Sequence, residues 1–275
     1  MNSATILVDN NKTQHRFLQC EHGFSLYLNY EGTTLLFDFG ATDALTNNAQ
    51  FLNIDLSTVD YLVSSHSHYD HIDGLLNAAP LLGGKKMFVG TNFDLKKFGK
   101  VENNDNIIDY LGANFDENFL AKYKITKVTV ADKLKINDNI YIVSNFTVED
   151  DASAFHRFVI KDNDKFKIDL FADELCLVIE REEDLVLIVG CSHPGILNII
   201  NRVNSLFDKN ISLIIGGTHL LKADDDKIQT ISNSLISLGI KDFYLCHCSG
   251  KKITEKLKSM GENSNSIGVG TTILL

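Results

Sequence analysis

Three histidines and two aspartates crowd into residues 66–73, within the stretch "SSHSHYDHIDGL". His66 and His68 are two residues apart in extended backbone after the apolar run "YLV", so their imidazoles project to the same side and can share one cation. Asp70 and His71 follow where the chain turns into a helix, and they can reach a second cation nearby. This mixture of nitrogen and carboxylate donors suits divalent metals, with zinc the default and iron or manganese the alternatives. The spacing predicts a metal site, against the plainer alternative of a polar loop with incidental histidines.

Further histidines stand at the ends of other apolar strands. His193 ends the run "LVLIVGCSH", His219 ends "LIIGGTH" and His247 ends "FYLCH". In folds that cover sheets with helices, sites assemble in the loops beyond the carboxyl ends of strands. We therefore expect these histidines to converge with residues 66–73.

The elements that must position these side chains are short strands and amphipathic helices. Apolar segments such as "SLYLNY", "TTLLFDF" and "LVLIVGC" predict strands. Two patterns predict helices, one beginning at Pro194 with Ser192 or His193 as its cap, and one over residues 225–238. The alternation favours an α/β or α+β fold. Residues 91–138 are polar and irregular, and we interpret them as an insertion or lid within a single domain spanning residues 1–275.

The composition excludes several classes of protein. The chain has 275 residues, 44% of them hydrophobic and 23% charged, with no apolar run of membrane-spanning length. Its first residues lack a secretory signal and its five cysteines have no disulfide spacing, so we expect reduced thiols in the cytoplasm. The net charge of -10 disfavours nucleic acid as a partner. We expect a small-molecule substrate, with neither a nucleic acid nor a membrane as partner, and leave the oligomeric state open.

Several of these motifs resemble a known family. The stretch "HSHYDH" resembles the His-x-His-x-Asp-His signature of the metallo-β-lactamase superfamily, and "TTLLFDFG" is similar to that superfamily's first motif. The segments "EHGFSLYLNYEGTTLLFDFG", "GCSHPGILNII", "IGGTHL" and "CHCSG" resemble the branch of dihydropterin-ribofuranosylaminobenzene phosphate synthase-like proteins. The resemblance implies an αββα sandwich with a metal site at one edge of the sheets.

The resemblance also implies a set of metal ligands. His66 and His68 would bind the first ion, whereas Asp70 and His71 would bind the second. His247 matches the superfamily's last motif, a histidine after the final buried strand, and would be a further ligand of the second ion. The implied cofactor is a pair of divalent metal ions, with zinc favoured over iron and manganese.

Two positions depart from the superfamily's pattern. The usual third motif would place a histidine near "FADELCLVIE", where this chain has none, and the usual bridging aspartate would fall at "VGC", where Cys191 stands. We predict that His193 replaces the missing ligand of the first ion. Cys191 stays open between a thiolate ligand and a small buried hydrophobe.

The remaining histidines have weaker patterns. His219 is open between a ligand, a proton donor to a leaving group and a residue that supports a ligand, and the two glycines before it favour a role in the site because they let backbone approach closely. His22 precedes a strand and is either a substrate contact or a turn residue. We interpret His15 and His156 as surface or structural residues.

Three other polar residues are candidates for supporting roles. Asp38 ends the apolar run "TTLLF", and we expect it to orient a metal-bound histidine through its second ring nitrogen, with turn capping as the alternative. Ser249 and Lys251 follow His247, and we interpret them as contacts to a phosphate or carboxylate of the substrate, with ordinary surface chemistry equally open.

Together these residues favour a metal-dependent hydrolase with a dinuclear centre that activates water. Asp70 would orient the nucleophilic water, and His219 is the candidate general acid. The alternatives are a pterin-related synthase of the resembled branch and a metal-bound sensor that holds a small acidic ligand without turnover. Redox diiron chemistry is disfavoured because the chain is too short for a flavin domain, and a nuclease is disfavoured by the acidic charge.

Overall fold

The computed structural model describes residues 1–101, 104–148, 157–163 and 165–275. Its contacts divide the chain into two compact units. Unit 1 comprises Met1–Thr129, Ser153–Asp173 and Gly268–Leu275, and unit 2 comprises Val130–Ala152 and Glu174–Ile267. Both units combine strands with helices, so the prediction of a mixed α/β class is confirmed.

Unit 1 contains a seven-stranded sheet in the order β18-β1-β2-β3-β4-β5-β8. Strands β1, β2, β3 and β18 pair antiparallel, whereas β3, β4 and β5 run parallel. The carboxyl ends of β3 and β4 therefore lie at the same edge of the sheet. The strands are β1 (Ser3–Val8), β2 (Ser25–Tyr30), β3 (Thr33–Phe37), β4 (Tyr61–Val63), β5 (Lys86–Gly90), β8 (Thr126–Val130) and β18 (Thr272–Leu274).

Four helices and a short 3-10 turn, Leu56–Thr58, accompany this sheet. A buried apolar cluster of the unit joins Leu36 and Leu62 from the strands to Leu45 and Leu75 from the helices. Helix α4 begins after Asp116, whose carboxylate accepts hydrogen bonds from the first free backbone N–H groups. The helices are α1 (Ala44–Phe51), α2 (Tyr69–Ile72), α3 (Leu75–Leu82) and α4 (Glu117–Lys122).

Residues 91–138 contain more regular structure than the sequence predicts. Strands β6 (Lys96–Val101) and β7 (Asn104–Tyr110) pair with β11 (Phe158–Asp162) and β12 (Lys165–Ile168) in a separate sheet of unit 1, in the order β12-β11-β6-β7. The expectation of an irregular insertion is corrected at this point. The pattern was missed because β6 reads "KKFGKV", in which lysines take positions that an apolar alternation would need.

Unit 2 contains a second seven-stranded sheet in the order β17-β16-β15-β14-β13-β10-β9. Strands β14 to β17 run parallel, and in this register Val189, Gly216 and Leu245 lie side by side near their carboxyl ends. The loops that follow β14, β15 and β16 therefore emerge at one edge. The strands are β9 (Lys133–Lys135), β10 (Ile140–Val143), β13 (Cys176–Glu180), β14 (Leu185–Val189), β15 (Ile211–Gly216), β16 (Asp242–Leu245) and β17 (Asn263–Ser266).

Three helices pack on this sheet: α5 (Ile196–Asn204), α6 (Asp225–Ser237) and α7 (Lys251–Ser259). Helix α6 has the predicted bounds within one residue, but α5 begins two residues after Pro194 because Gly195, at φ +94°, is its N-cap. The apolar stripe of α5 is buried as predicted. Among the described residues, the helices are all too short or too polar to cross a membrane.

Candidate metal centre

The first ligand cluster comprises His66, His68, Asp70 and His71 of unit 1. The loop after β4 carries the first two, and α2 carries the other two. The ring centroids of His66 and His68 lie 4.6 Å apart, and those of His66 and His71 lie 4.2 Å apart. All four residues are buried. The contiguous motif thus folds into one compact group of nitrogen and oxygen donors.

Asp38 fixes this cluster from the neighbouring strand. It follows β3, and its fully buried carboxylate accepts hydrogen bonds from His71 Nδ1 at 2.6 Å and from Ser65 N and Oγ at 2.6 and 2.7 Å. The contact that the sequence predicts for Asp38, a carboxylate on the second nitrogen of a site histidine, is therefore present. Burial raises the pKa of Asp38, and the hydrogen bonds from His71 and Ser65 act against that shift.

These contacts indicate which nitrogen of each imidazole carries the proton and which is left to bind a cation. An ionised carboxylate only accepts hydrogen bonds, so His71 donates to Asp38 through Nδ1. Ser65 Oγ donates to Asp38 and lies 2.9 Å from His66 Nδ1, so His66 also carries its proton on Nδ1. In both rings Nε2 is then the nitrogen with a lone pair. The donor set fits a divalent metal ion, because metal-bound histidines are oriented in this way by partners on their other nitrogen.

Asp70 has a second, exposed histidine beside it. The Nε2 atom of His22 lies 3.3 Å from Asp70 Oδ2, and Asn10 Nδ2 lies 3.0 Å from His22 Nδ1. The side chain of His22 is 60% exposed, whereas that of Asp70 is 9% exposed. Since the Asn10 amide donates to Nδ1, the His22 proton is on Nε2 and points toward Asp70. His22 is thus placed next to the first ligand cluster.

Sequence reasoning missed a buried ion-pair network behind the cluster. Lys97, 2% exposed, donates to Asp169 Oδ2 at 2.6 Å and to Asp173 Oδ1 at 2.8 Å. The second oxygen of Asp173 accepts from the backbone N–H and the hydroxyl of Ser67, at 2.9 and 3.0 Å. Ser67 lies between His66 and His68. Asp173 therefore connects Lys97 to the backbone of the metal-binding motif.

The same lysine also contacts an aromatic ring that lies beside the cluster. Its Nζ lies 4.6 Å from the ring centroid of Phe171, whose backbone N–H donates to Asp169 Oδ1. The Phe171 ring lies 5.5 Å from His68. Burial lowers the pKa of Lys97, but the charges of Asp173 and Asp169 outweigh that effect and raise it above its usual value. Lys97 thus stays charged while buried, and the only sequence signal for its partners was the acidic stretch "DLFADEL" before a buried strand.

The second ligand cluster comprises Cys191, His193, His247 and Cys248 of unit 2. They follow β14 and β16, whose carboxyl ends lie at one edge of the sheet. The donor atoms of Cys191, His247 and Cys248 lie within 4.8 Å of one another. The ring centroids of His193 and His219 lie 4.4 Å apart. Within unit 2 the structure therefore brings together the predicted residues from three separate strand ends, together with Cys248, which was not predicted.

Two glycines allow the loops of this cluster to approach so closely. A Cβ atom on Gly217 would lie 2.4 Å from the Gly190 carbonyl oxygen and 2.6 Å from Cys248 Sγ. Gly216 has φ +123°, and a Cβ atom there would lie 1.9 Å from the Val189 carbonyl oxygen. The close backbone approach that the sequence predicts before His219 is present.

Three non-glycine residues in and beside this cluster have backbone in the left-handed region. Ser192, His219 and His247 have φ values of +59°, +53° and +50°. The Ser192 backbone N–H donates to Glu174 Oε1 at 2.9 Å, and its hydroxyl donates to the Gly217 carbonyl oxygen at 2.7 Å. Residues other than glycine adopt such angles mainly where the surrounding structure imposes them, and they are frequent at ligand sites.

The other predicted residues have varied surroundings. Ser249 is buried. Its hydroxyl accepts a hydrogen bond from the Thr218 N–H at 3.0 Å and donates one to the Gly216 carbonyl oxygen at 3.3 Å, so it connects its own loop to the end of β15 and the loop that follows. Lys251 is exposed at the first position of α7. His15 is exposed. His156 lies outside the described residues.

Comparison with known proteins supports the fold and the motif. Residues 18–80 match the family model of the metallo-β-lactamase superfamily. A solved structure of Tm1679, a metal-dependent hydrolase of the β-lactamase superfamily, is 29% identical to this chain with a TM-score of 0.87, and the similarity covers 100% of this chain and 99% of that one. The predicted fold class is confirmed by this similarity.

Two proteins of Methanocaldococcus jannaschii are similar along most of their length. One is 7,8-dihydropterin-6-methyl-4-(beta-D-ribofuranosyl)-aminobenzene-5'-phosphate synthase, 26% identical over 243 residues that cover 84% of this chain and 82% of the relative. The other is an uncharacterised protein, 30% identical over 262 residues that cover 93% of each chain.

Proposed function

The chain belongs to the metallo-β-lactamase superfamily, and from this premise we propose that it is a metal-dependent hydrolase with a dinuclear centre. The observation that carries the proposal is the first ligand cluster, in which Asp38 and Ser65 direct the Nδ1 protons of His71 and His66 and leave Nε2 of both rings as donors. Buried imidazoles that are oriented through their second ring nitrogen in this way are typical of metal ligands.

The proposed ligands are those that the sequence predicts. His66, His68 and His193 would bind the first ion, and Asp70, His71 and His247 would bind the second, with Cys191 as an additional sulfur donor. Zinc is favoured because it accepts this mixture of nitrogen, oxygen and sulfur donors. A pair of such ions lowers the pKa of a bound water toward about 7 and neutralises charge on a developing oxyanion.

The chain's own groups then position the reactants. Asp70 Oδ2 lies 3.7 Å from His71 Nε2 and 3.3 Å from His22 Nε2, so one carboxylate is shared between a ligand and an exposed proton donor. We assign Asp70 to orienting the nucleophilic water and His22 to contacting the substrate. His219, which is partly exposed beside His193, is the proposed general acid for the leaving group.

We propose a small-molecule substrate with an anionic group such as a phosphate, because Lys251 offers an exposed positive charge at the start of α7. None of the five cysteines, all of which lie in the described part of the chain, forms a disulfide, which supports our proposal that the protein works in the reducing cytoplasm. A second candidate function is a pterin-related synthesis, which the similarity to the archaeal synthase favours.

The test is a screen of the metal-loaded protein against phosphodiesters, thioesters and lactones. His68→Ala should abolish turnover and His15→Ala, an exposed control outside both clusters, should leave it unchanged. Turnover that survives His68→Ala would contradict the proposal. Tight binding of an acidic ligand without turnover of any substrate would favour a sensor instead.

A further inference from the structure

Two thiols and an imidazole meet at the carboxyl ends of β14 and β16. The Sγ atoms of Cys191 and Cys248 and a ring nitrogen of His247 lie within 4.8 Å of one another. Cys191 and His247 are buried, and Cys248 is partly buried. We propose that Cys191, Cys248 and His247 bind one soft divalent cation through two thiolates and one imidazole. This inference rests on the proposed function, because the cation is the second ion proposed there, the one that His247 binds, and the two cysteines supply it with sulfur donors from unit 2.

The loop after β15 is shaped around the Cys248 sulfur. The backbone N–H of His219 donates to Cys248 Sγ at 3.3 Å. Residue 217 must be glycine, because a Cβ atom there would lie 2.6 Å from the same sulfur. A directed N–H group stabilises sulfur in its charged, metal-binding form.

The sulfur of Cys248 also faces the other cysteine. As a thiol it donates to the Cys191 carbonyl oxygen at 3.5 Å, which is a long and weak contact. An ion that binds both sulfurs takes the place of their protons, which are released to solvent. The thiol contact is thus the protonated state of the same arrangement.

The backbone on both sides is constrained to present these donors. Ser192, which follows Cys191, and His247, which precedes Cys248, both have left-handed φ angles, +59° and +50°. The Cys246 N–H donates to the Gly216 carbonyl oxygen at 3.1 Å and joins this loop to β15. Strained angles of this kind are typical of ligand clamps.

The donor types set the class of cation. Thiolates select zinc and other soft ions over magnesium or manganese. Zinc has sulfur at about 2.3 Å and nitrogen at about 2.0–2.1 Å, so a tetrahedral ion needs its donors about 4 Å apart or closer. The observed separations, all within 4.8 Å, require only small side-chain movements. The second ligand cluster therefore offers sulfur where the first offers only nitrogen and oxygen.

The test uses cobalt(II) as the probe in the full-length protein after metal removal. Sulfur ligation gives a near-ultraviolet charge-transfer band, and we expect Cys191→Ser and Cys248→Ser each to reduce it to roughly half. Cys246→Ala is the matched control, because Cys246 is buried next to His247 but lies outside the donor group. That variant should keep the full band.

X-ray absorption at the zinc edge of the unmodified protein gives an answer that does not depend on variant folding. We expect sulfur neighbours at about 2.3 Å. Cobalt or zinc that binds with no sulfur signal, or a band that Cys248→Ser leaves intact, would overturn this inference while leaving a metal-dependent function in place. Failure to bind either ion would overturn both.

Discussion

The residues of the first ligand cluster come from one stretch of six residues, and buried charged groups fix them from outside. Asp38 bonds to His71 and Ser65, while Lys97 and Asp173 bond in series to Ser67. The second cluster is assembled from the ends of two strands, β14 and β16, and glycines and left-handed backbone position it. Charged partners thus hold one group of candidate ligands and close backbone approach holds the other, and we expect the two groups to fail in different ways.

The largest effect should come from removing the buried cation behind the first cluster. Lys97→Met leaves Asp169 and Asp173 buried without their counter-ion, and we expect a loss of about 3–5 kcal/mol in the free energy of unfolding, measured with urea. Lys252→Met is the control, because its pair with Asp225 is exposed to solvent and its loss should change stability little. Similar losses in both variants would show that charge does not anchor this cluster.

The next effect should appear in metal affinity. Asp38→Asn keeps a residue that tolerates the φ of +60°, but an amide has one acceptor oxygen and cannot replace both carboxylate oxygens, one of which accepts from His71 and Ser65 Oγ and the other from Ser65 N. We expect zinc affinity, measured by competition with a chelator, to fall about 10–100-fold. Asp43→Asn is the control, since Asp43 makes no side-chain cap bond at α1. Unchanged affinity in Asp38→Asn would contradict the orienting role.

Backbone geometry is tested in the second cluster by Gly217→Ala. The added methyl group overlaps the Gly190 carbonyl and Cys248 Sγ, and we expect a loss of about 1–3 kcal/mol in unfolding free energy. Gly239→Ala introduces a left-handed alanine in open space, at φ +80°, and should cost about 1 kcal/mol. Only Gly217→Ala should alter the sulfur-to-cobalt band. A normal band in that variant would mean that glycine is not needed to place the sulfur.

The smallest expected difference concerns how the clusters respond to loss of metal. Hydrogen exchange after chelation should increase more in residues 190–193 and 246–250 than in residues 64–73. A bound ion would help to offset the left-handed strain at Ser192 and His247, about 1–3 kcal/mol each, so we expect about a tenfold difference in protection when it is removed. Equal loosening of the two clusters would remove the distinction between them.

The contrast also explains what sequence could predict. The spacing of His66, His68, Asp70 and His71 is local, so their grouping followed directly from the motif. The strand ends that carry His193 and His247 were recognisable because apolar runs precede them. These signals were enough for the fold class and for most candidate ligands.

Non-local contacts were not predictable in the same way. Ser67 and Asp173 are 106 positions apart, and no local pattern connects them. Lys97 lies in a strand of mostly charged residues, where burial is unexpected until two carboxylates are known to pair with it. Cys248 was not predicted as a candidate ligand, because its proximity to Cys191 arises from the parallel register of β14, β15 and β16.

Metal analysis of the purified protein tests the central claim most directly. The protein should be expressed in zinc-supplemented medium and purified without chelators, and its bound metal counted by mass spectrometry. We predict two equivalents of divalent metal per chain, and His68→Ala should lower that number while His15→Ala leaves it unchanged. A chain that carries no metal after this treatment would contradict the proposal that the protein holds a dinuclear metal centre.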